Sequence, residues 1–396
     1  MLDISLSQRA QSIKPSPTLA VTAKAAELRA AGKDIIGLGA GEPDFDTPEH
    51  IKKAAIKAIE SGETKYTAVD GTPELKQAIV QKFKNENNLN YELNQISVQC
   101  GAKHSLYNLF QAILNPGDEV IIPAPFWVSY PDMAKLAGAD PVIIKTSIDD
   151  GFKISPEKLR GAISDKTRLL VLNSPSNPTG ASYTSEELTA LGEVLLDHPD
   201  IIIATDDIYE HILWGQDEFV NIVNACPKLY DRTIVVNGVS KAYSMTGWRI
   251  GYVGGPASVI KGMNKIQSQS TSNPSSIAQA AAVAALTGDQ TYIHESTEVF
   301  KQRHDFILET MSSIKGIRCL EGAGTFYSFP DMNHLIQSMD NVSNDIELAE
   351  FFLEKAEVAL VPGSAFGAPG CMRISFATSM ENLETSMERI KKALAN

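Results

Sequence analysis

The chain has 396 residues, 43% of them hydrophobic and 21% charged, enough to bury a large core in two domains or in one large domain carrying a smaller one. A formal net charge of −13 with no basic cluster argues against a binder of nucleic acid or of an anionic membrane surface. The four cysteines, Cys100, Cys226, Cys319 and Cys371, are scattered, which argues against a disulfide framework or a zinc ribbon, offers no metal-ligand set and fits a reducing compartment.

From the N-terminus, MLDISLSQRAQSIKPSP has no apolar leader core, and no later apolar run is long enough to cross a membrane, so the expected setting is cytoplasmic. GLGAGEP (37–43) is not a G-x-G-x-x-G fingerprint. PELKQAIVQKFKNE (73–86) aligns Leu75, Ile79 and Phe83 on one face and predicts a helix. QISVQCGAKHSLYNLF (95–110) runs from an alternating strand through Gly101, Ala102 and Lys103 into a helical pattern. Such a helix start leaves backbone N–H groups free and attracts phosphate, although no P-loop signature is met. Short apolar runs follow: VIIP (120–123), PVIIK (141–145), RLLVLN (168–173), IIIAT (201–205), TIVVN (233–237) and RIGYVGG (249–255). TSEELTALGEVLLDH (184–198) lies between two of them and opens on a threonine cap. Near-continuous Val/Ile strands alternating with helices predict a mostly parallel sheet covered on both faces. From about residue 300 the pattern changes to a helix, a hairpin-like stretch (GIRCLEGAGTFYSF) and a last helix, which suggests a smaller α+β domain that the N-terminal segment helps complete.

Ligands of open parallel sheets bind at the carboxyl ends of the strands, so the residues after each run carry the functional argument. RLLVLN is followed by SPSNPTG, where Asn177 sits in a rigid turn of the kind any Asn-Pro pair favours. IIIAT is followed by Asp206, Asp207 and Tyr209, and a carboxylate there is either a helix cap or the partner of a buried cation. TIVVN leads to Ser240 and Lys241, with Arg249 close behind. A desolvated lysine keeps a neutral amine available for Schiff-base chemistry, whereas an ordinary loop lysine stays in water. Trp127, in PAPFWVSYP (123–131), offers a ring for stacking. Lysine, buried carboxylate, phosphate-binding helix start and aromatic face together describe a pyridoxal phosphate pocket.

Three motifs carry a family resemblance: NPTG at 177–180, Asp-x-x-Tyr at 206–209 and S-K-x-Y-x-M-x-G-W-R-I-G at 240–251. Over nearly its whole length the chain resembles the class I aminotransferases of pyridoxal-phosphate fold type I. Within them it is most similar to the bacterial aspartate branch that lacks the usual arginine for the distal carboxylate. The resemblance implies a seven-stranded, mostly parallel sheet in a large domain at 46–299, and a discontinuous small domain from 1–45 and 300–396. It implies that pyridoxal 5′-phosphate is covalently held on Lys241, which also shuttles the proton. Asp206 would hold the ring nitrogen, Tyr209 and Asn177 the 3′ oxygen, and Trp127 the ring face. Gly101, Ala102, Lys103, Ser240 and Arg249 would hold the phosphate. Tyr66 would reach the phosphate of a second subunit, implying a homodimer with shared sites.

For amino-acid and 2-oxo-acid substrates, Arg373 would grip the α-carboxylate with help from the Gly41 N–H, and Tyr327 would close the pocket. On its own segment, a surface arginine at a strand edge is the lesser alternative for Arg373. The family arginine for the distal carboxylate corresponds to Ser268 here, which leaves that task to Lys103, and a family proline is replaced by Gly322. The expected reaction is amino transfer between aspartate and 2-oxoglutarate by a ping-pong mechanism. The alternatives are a prephenate, aromatic or broad-range aminotransferase, and less favoured, a lyase of the same fold.

Overall fold

A computed structural model describes residues 5–395 apart from 14, 16, 216 and 217. The start of the 1–45 segment and two positions of the KPSP stretch therefore lie outside the described residues.

Twelve strands are β1 (Ile36–Gly37), β2 (Ile96–Gln99), β3 (Glu119–Ala124), β4 (Asp140–Lys145), β5 (Thr167–Asn173), β6 (Ile202–Asp206), β7 (Thr233–Gly238), β8 (Gly251–Gly254), β9 (Tyr327–Ser328), β10 (Val358–Ala359), β11 (Val361–Pro362) and β12 (Met372–Ser375). Seven of them form one sheet in the order β2-β8-β7-β6-β5-β3-β4. It is parallel except at β8, which runs antiparallel to both its neighbours.

The strands read as continuous apolar runs because both their faces are buried. On β5, Leu170 and Leu172 enter one core while Leu169 and Val171 enter the other, and β7 splits Val235 from Ile234 and Val236 in the same way. The helix Pro73–Asn87 covers one face with Leu75, Ile79 and Phe83, all fully buried. Each such side chain contributes roughly 1.5–3 kcal/mol of burial. Thr72 caps this helix through a bond from the Leu75 N–H (3.3 Å), and Thr184 forms a capping box with Glu187 at the start of Ser185–Leu196. The helices Ala102–Ile113 and Ala257–Ser268 cover the opposite face.

A separate core gathers Leu38 with Phe300, Ile307, Phe326, Met372 and Ile390. β1 pairs parallel with β10, so the N-terminal segment joins the C-terminal part of the chain. Two details depart from the sequence pattern. First, the stretch 316–329 folds back only through a single antiparallel bridge, Arg318 with Asp331, rather than as a regular hairpin, and β9 pairs with β12. The N–H groups of Ala323 and Gly324 donate to the Gly180 carbonyl (2.8 and 3.2 Å), which removes them from any local pairing. That contact also explains the glycine of NPTG. Gly180 has φ +70°, and a Cβ there would lie 3.0 Å from the Gly324 carbonyl oxygen. Second, Arg249 is not in a strand; it has φ 58° and precedes β8. Among the described residues, no helix is long and apolar enough to cross a membrane.

Candidate active site

The carboxyl ends of β5, β6 and β7 deliver Asn173, Asp206 and, three residues past β7, Lys241 to one cavity of about 440 Å³. Gly41, Ala102, Lys103, Trp127, Asn177, Tyr209, Ser240, Arg249, Tyr327 and Arg373 also line it. Gly101 sits at its edge as the N-cap of Ala102–Ile113. Tyr66 does not reach the cavity and is 91% exposed.

Lys241 Nζ donates to the Gly41 carbonyl at 2.6 Å. The expectation for Gly41 concerned its N–H, and in the structure its carbonyl makes the contact. Burial lowers the Lys241 pKa to about 8; the Arg249 and Arg373 cations push the same way, while Glu42 and Asp206 oppose them. An ordinary lysine titrates above 10. Acylation of Lys241 in the cofactor-free protein, followed by peptide mass spectrometry, should therefore be half-maximal near pH 8, well below a lysine side chain in a short model peptide. Equal profiles for the protein and the peptide would contradict this.

Asp206 ends β6 and is followed by a turn, so it caps no helix. Its backbone carbonyl accepts from Asn173 Nδ2 (2.7 Å), and its Oδ2 accepts from the Tyr130 hydroxyl (2.6 Å). Oδ1 is buried without a partner. Burial raises this carboxyl to about 6, against the Tyr130 hydroxyl, the Ile208 N–H and Lys241. Asp207, one residue on, turns to the other side of the strand, where Thr205 Oγ1 and Asn221 Nδ2 bond its carboxylate (2.5 and 3.3 Å).

Arg249 and the helix start form a second cluster. The Arg249 guanidinium donates to the Thr246 carbonyl (2.8 Å) and lies where a Cβ on Gly101 would point, and it is the left-handed backbone at that N-cap that calls for glycine. Gly101 has φ +90°. The first turn of Ala102–Ile113 carries no acidic side chain, so its N–H groups, the cation and the nearby Ser240 make an anion site.

Arg373, in the middle strand of β11-β12-β9, is 2% exposed, which overturns the surface alternative. Nη1 donates to Asn177 Oδ1 (3.0 Å) and Nη2 to the Gly39 carbonyl (2.8 Å), while Nε is buried without a partner. The Tyr327 ring lies 4.4 Å from its Cζ, and the Tyr327 hydroxyl is 3.1 Å from that of Tyr209. Lys103 is exposed overall with Nζ 4.9 Å above the Trp127 ring, and desolvation followed by Arg249 lowers its pKa. Ser268 is exposed; its hydroxyl donates to the Lys265 carbonyl (2.8 Å) and accepts from Gln269 Nε2 (3.3 Å). The Gly322 N–H donates to His304 Nε2 (3.0 Å), a bond that a proline at that position could not make.

Sequence reasoning missed Tyr130 and Asn173. Asn173 ends its apolar run as Asp206 ends the next, and the two are register partners, so a polar residue at a strand end was the available signal. Tyr130 lay three residues after Trp127, with nothing local to mark it.

The orphaned atoms test the fit of a pyridoxal phosphate. Asp206 Oδ1 lacks a donor such as a pyridine N–H, Arg373 Nε lacks an acceptor such as a carboxylate, and Lys241 is an amine held partly neutral. The residues fit the group.

A strand-end lysine, a buried carboxylate and a helix-start anion site on this sheet define a pyridoxal-phosphate-type transferase fold. Residues 33–390 match the family described as aminotransferase class I and II, and the chain belongs to that family. It is 60% identical, over 98% of its length and all of the relative's, to the aspartate/prephenate aminotransferase of Nitrosomonas europaea. It is 50% identical, over 98% of each chain, to the aspartate aminotransferase of Bacillus subtilis. The crystal structure of the Rhizobium meliloti aspartate aminotransferase superposes with a TM-score of 0.96 at 49% identity, covering 99% of both chains. That of the Thermus thermophilus aspartate aminotransferase with maleate gives 0.93 at 44% identity, covering 98% of this chain and 100% of that one.

Proposed function

We propose that the protein transfers the amino group between L-aspartate and 2-oxoglutarate, using pyridoxal 5′-phosphate bound covalently through Lys241. The observation that carries this is the meeting, in one cavity, of a lysine amine lowered to about pH 8 with two buried, unpartnered atoms of opposite character, Asp206 Oδ1 and Arg373 Nε. The cofactor, when bound, supplies an aldehyde for the amine and a protonated ring that draws electrons from the substrate Cα.

The chain's own residues do the rest. The N–H groups at Ala102 and Lys103, the Ser240 hydroxyl and Arg249 hold the phosphate, and Trp127 supports the ring face. Asp206 Oδ1 accepts the ring N–H and keeps that proton in place. Tyr209 donates to the 3′ oxygen, and Asn177, with Oδ1 engaged by Arg373, offers Nδ2 to it. Lys241 Nζ, once displaced from the cofactor by the incoming substrate amine, would take the proton from the substrate Cα as a base and give it back as an acid. Arg373 binds the α-carboxylate, and the enclosed walls of Tyr209 and Tyr327 exclude water. A homodimer completes the reading, with the exposed Tyr66 available to a second subunit's phosphate. A cytoplasmic setting goes with it. The two separate cores favour a large unit at 46–299 and a small one from 1–45 and 300–396.

Lys103 is the candidate for the distal carboxylate, and the maleate bound to the Thermus relative is itself a dicarboxylate. The relatives of Nitrosomonas europaea and Cereibacter sphaeroides are named for prephenate as well. A lysine grips as a point charge rather than a fork, which suits both acids and favours prephenate as a second acceptor. Steady-state assays test this. Beyond the one equivalent of a single half-reaction, oxaloacetate should form from aspartate only when 2-oxoglutarate or prephenate is present. Lys103→Met should raise the KM for aspartate by about 10- to 100-fold, the worth of one charge-assisted contact, and leave alanine little changed. Consumption of aspartate without any oxo acid would point instead to the lyase.

Asp206 also yields a stability prediction. Its folded pKa, about 6, lies above the ordinary 3.8, so the cofactor-free fold loses stability as pH rises from about 4 through 6. The gap corresponds to about 3 kcal/mol. Urea unfolding of cofactor-free Asp206→Asn should therefore show it more stable than wild type at pH 7.5, with the difference vanishing near pH 4. The same substitution should weaken cofactor binding. A variant less stable than wild type at pH 7.5 would contradict the assignment of a destabilised carboxylate.

A further inference from the structure

Asp206 has one carboxylate oxygen in use and one free, and a single hydroxyl decides which is which. Tyr130 sits in the helix Ser129–Leu136, 2% exposed, and its hydroxyl reaches Asp206 Oδ2 at 2.6 Å. Its ring is locked edge-on against Trp127, with centroids 5.3 Å apart at 80°, and its N–H bonds the Trp127 carbonyl at 3.1 Å. The hydroxyl therefore has a fixed direction. We propose that Tyr130 is the positioning residue that sets the proton at the ring-nitrogen end of the site: by donating to Oδ2 it keeps Asp206 ionised and turns Oδ1 towards the cavity.

Burial and the neighbouring Asp206 hold the Tyr130 phenol well above its ordinary pKa, so it stays a donor throughout the working pH range. The other groups that favour an ionised Asp206 are the Ile208 N–H and the more distant Lys241. Among the described residues, the phenol is the one side chain hydrogen-bonded to this carboxylate. Without it, a carboxyl already raised by burial rises further and competes with the pyridine nitrogen for their shared proton. Trp127 also lies under Lys103 Nζ. The same short segment therefore carries both the ring support and the anchor of the ring's proton.

This inference rests on the cofactor reading above, and its test separates the two. The protein is reconstituted with pyridoxal phosphate labelled with ¹⁵N in the ring, and the nitrogen resonance is read together with the cofactor dissociation constant. Tyr130→Phe keeps the ring and removes only the hydroxyl. It should move the resonance from the protonated towards the unprotonated position and weaken cofactor binding about tenfold, the scale of one charge-assisted hydrogen bond. In an Asp206→Asn background the same change should shift neither quantity by more than about twofold, because additivity fails for residues acting through one contact. An unmoved resonance in Tyr130→Phe overturns the proposal, as does an equal loss of affinity in both backgrounds. If Tyr130→Phe does not fold, 3,5-difluorotyrosine at position 130 keeps the shape and strengthens the donor. The resonance must then stay at or move towards the protonated position, and movement the other way overturns the proposal. Failure of the wild-type protein to bind the cofactor would instead overturn the proposed function.

Discussion

Lys241→Ala is expected to lower transamination by roughly ten-thousand-fold, the upper end of what a positioned acid–base group contributes. A guanidinium does not act as a base at workable pH, so Arg373 does not replace it. Lys103 is held over Trp127, on the distal-carboxylate side of this reading. The variant should still bind the cofactor, because Arg249 and the start of the helix Ala102–Ile113 are untouched. Single-turnover rates with aspartate measure the loss, and equilibrium dialysis measures retention. Wild-type turnover in this variant would remove Lys241 from the mechanism.

The second large effect belongs to Arg373. Its guanidinium is buried and bonded to Asn177 Oδ1 and the Gly39 carbonyl, and two aromatic rings lie against it, Tyr327 at 4.4 Å and Phe366 at 5.0 Å. Arg373→Ala removes the fork that meets the substrate α-carboxylate and leaves two buried acceptors unpaired. Truncating one partner of a buried charge pair costs about 2–5 kcal/mol, so kcat/KM should fall by roughly 30- to 5,000-fold. The Arg373 cation is also one of the influences lowering Lys241. The acylation midpoint of Lys241 should therefore move to higher pH in Arg373→Ala, which a mere packing defect would not predict. Arg373→Lys keeps the charge and loses the fork, and should fall between the two. An unchanged kcat/KM for aspartate in Arg373→Ala would exclude it from substrate binding.

The central sheet was legible because burial on both faces makes its strands read as unbroken apolar runs, with polar residues only where they end. Asn173, Asp206 and Lys241 stand out against that background. What lay beyond reach depended on contacts distant in sequence. Tyr130 and Asp206 are 76 positions apart, and only the sheet order β3-β5-β6 brings their segments together. Whether Arg373 was buried could not be read from its own strand, because Tyr327 and Phe366, which enclose it, belong to other segments. The hairpin-like stretch at 316–329 is reduced to one antiparallel bridge, Arg318 with Asp331, for a similar reason: the carbonyl of Gly180 takes the N–H groups of Ala323 and Gly324. Tyr66 is exposed and does not line the cavity of its own chain, so a contact expected with a second subunit had no counterpart within one chain.

The most direct test of the account is a pair of half-reactions watched by absorbance. The purified, cofactor-loaded protein is mixed with L-aspartate alone, and then with 2-oxoglutarate once the excess amino acid has been removed. The pyridoxal band should disappear on the first addition, with one equivalent of oxaloacetate released, and return on the second with one equivalent of glutamate. A band that does not respond to aspartate would contradict the account.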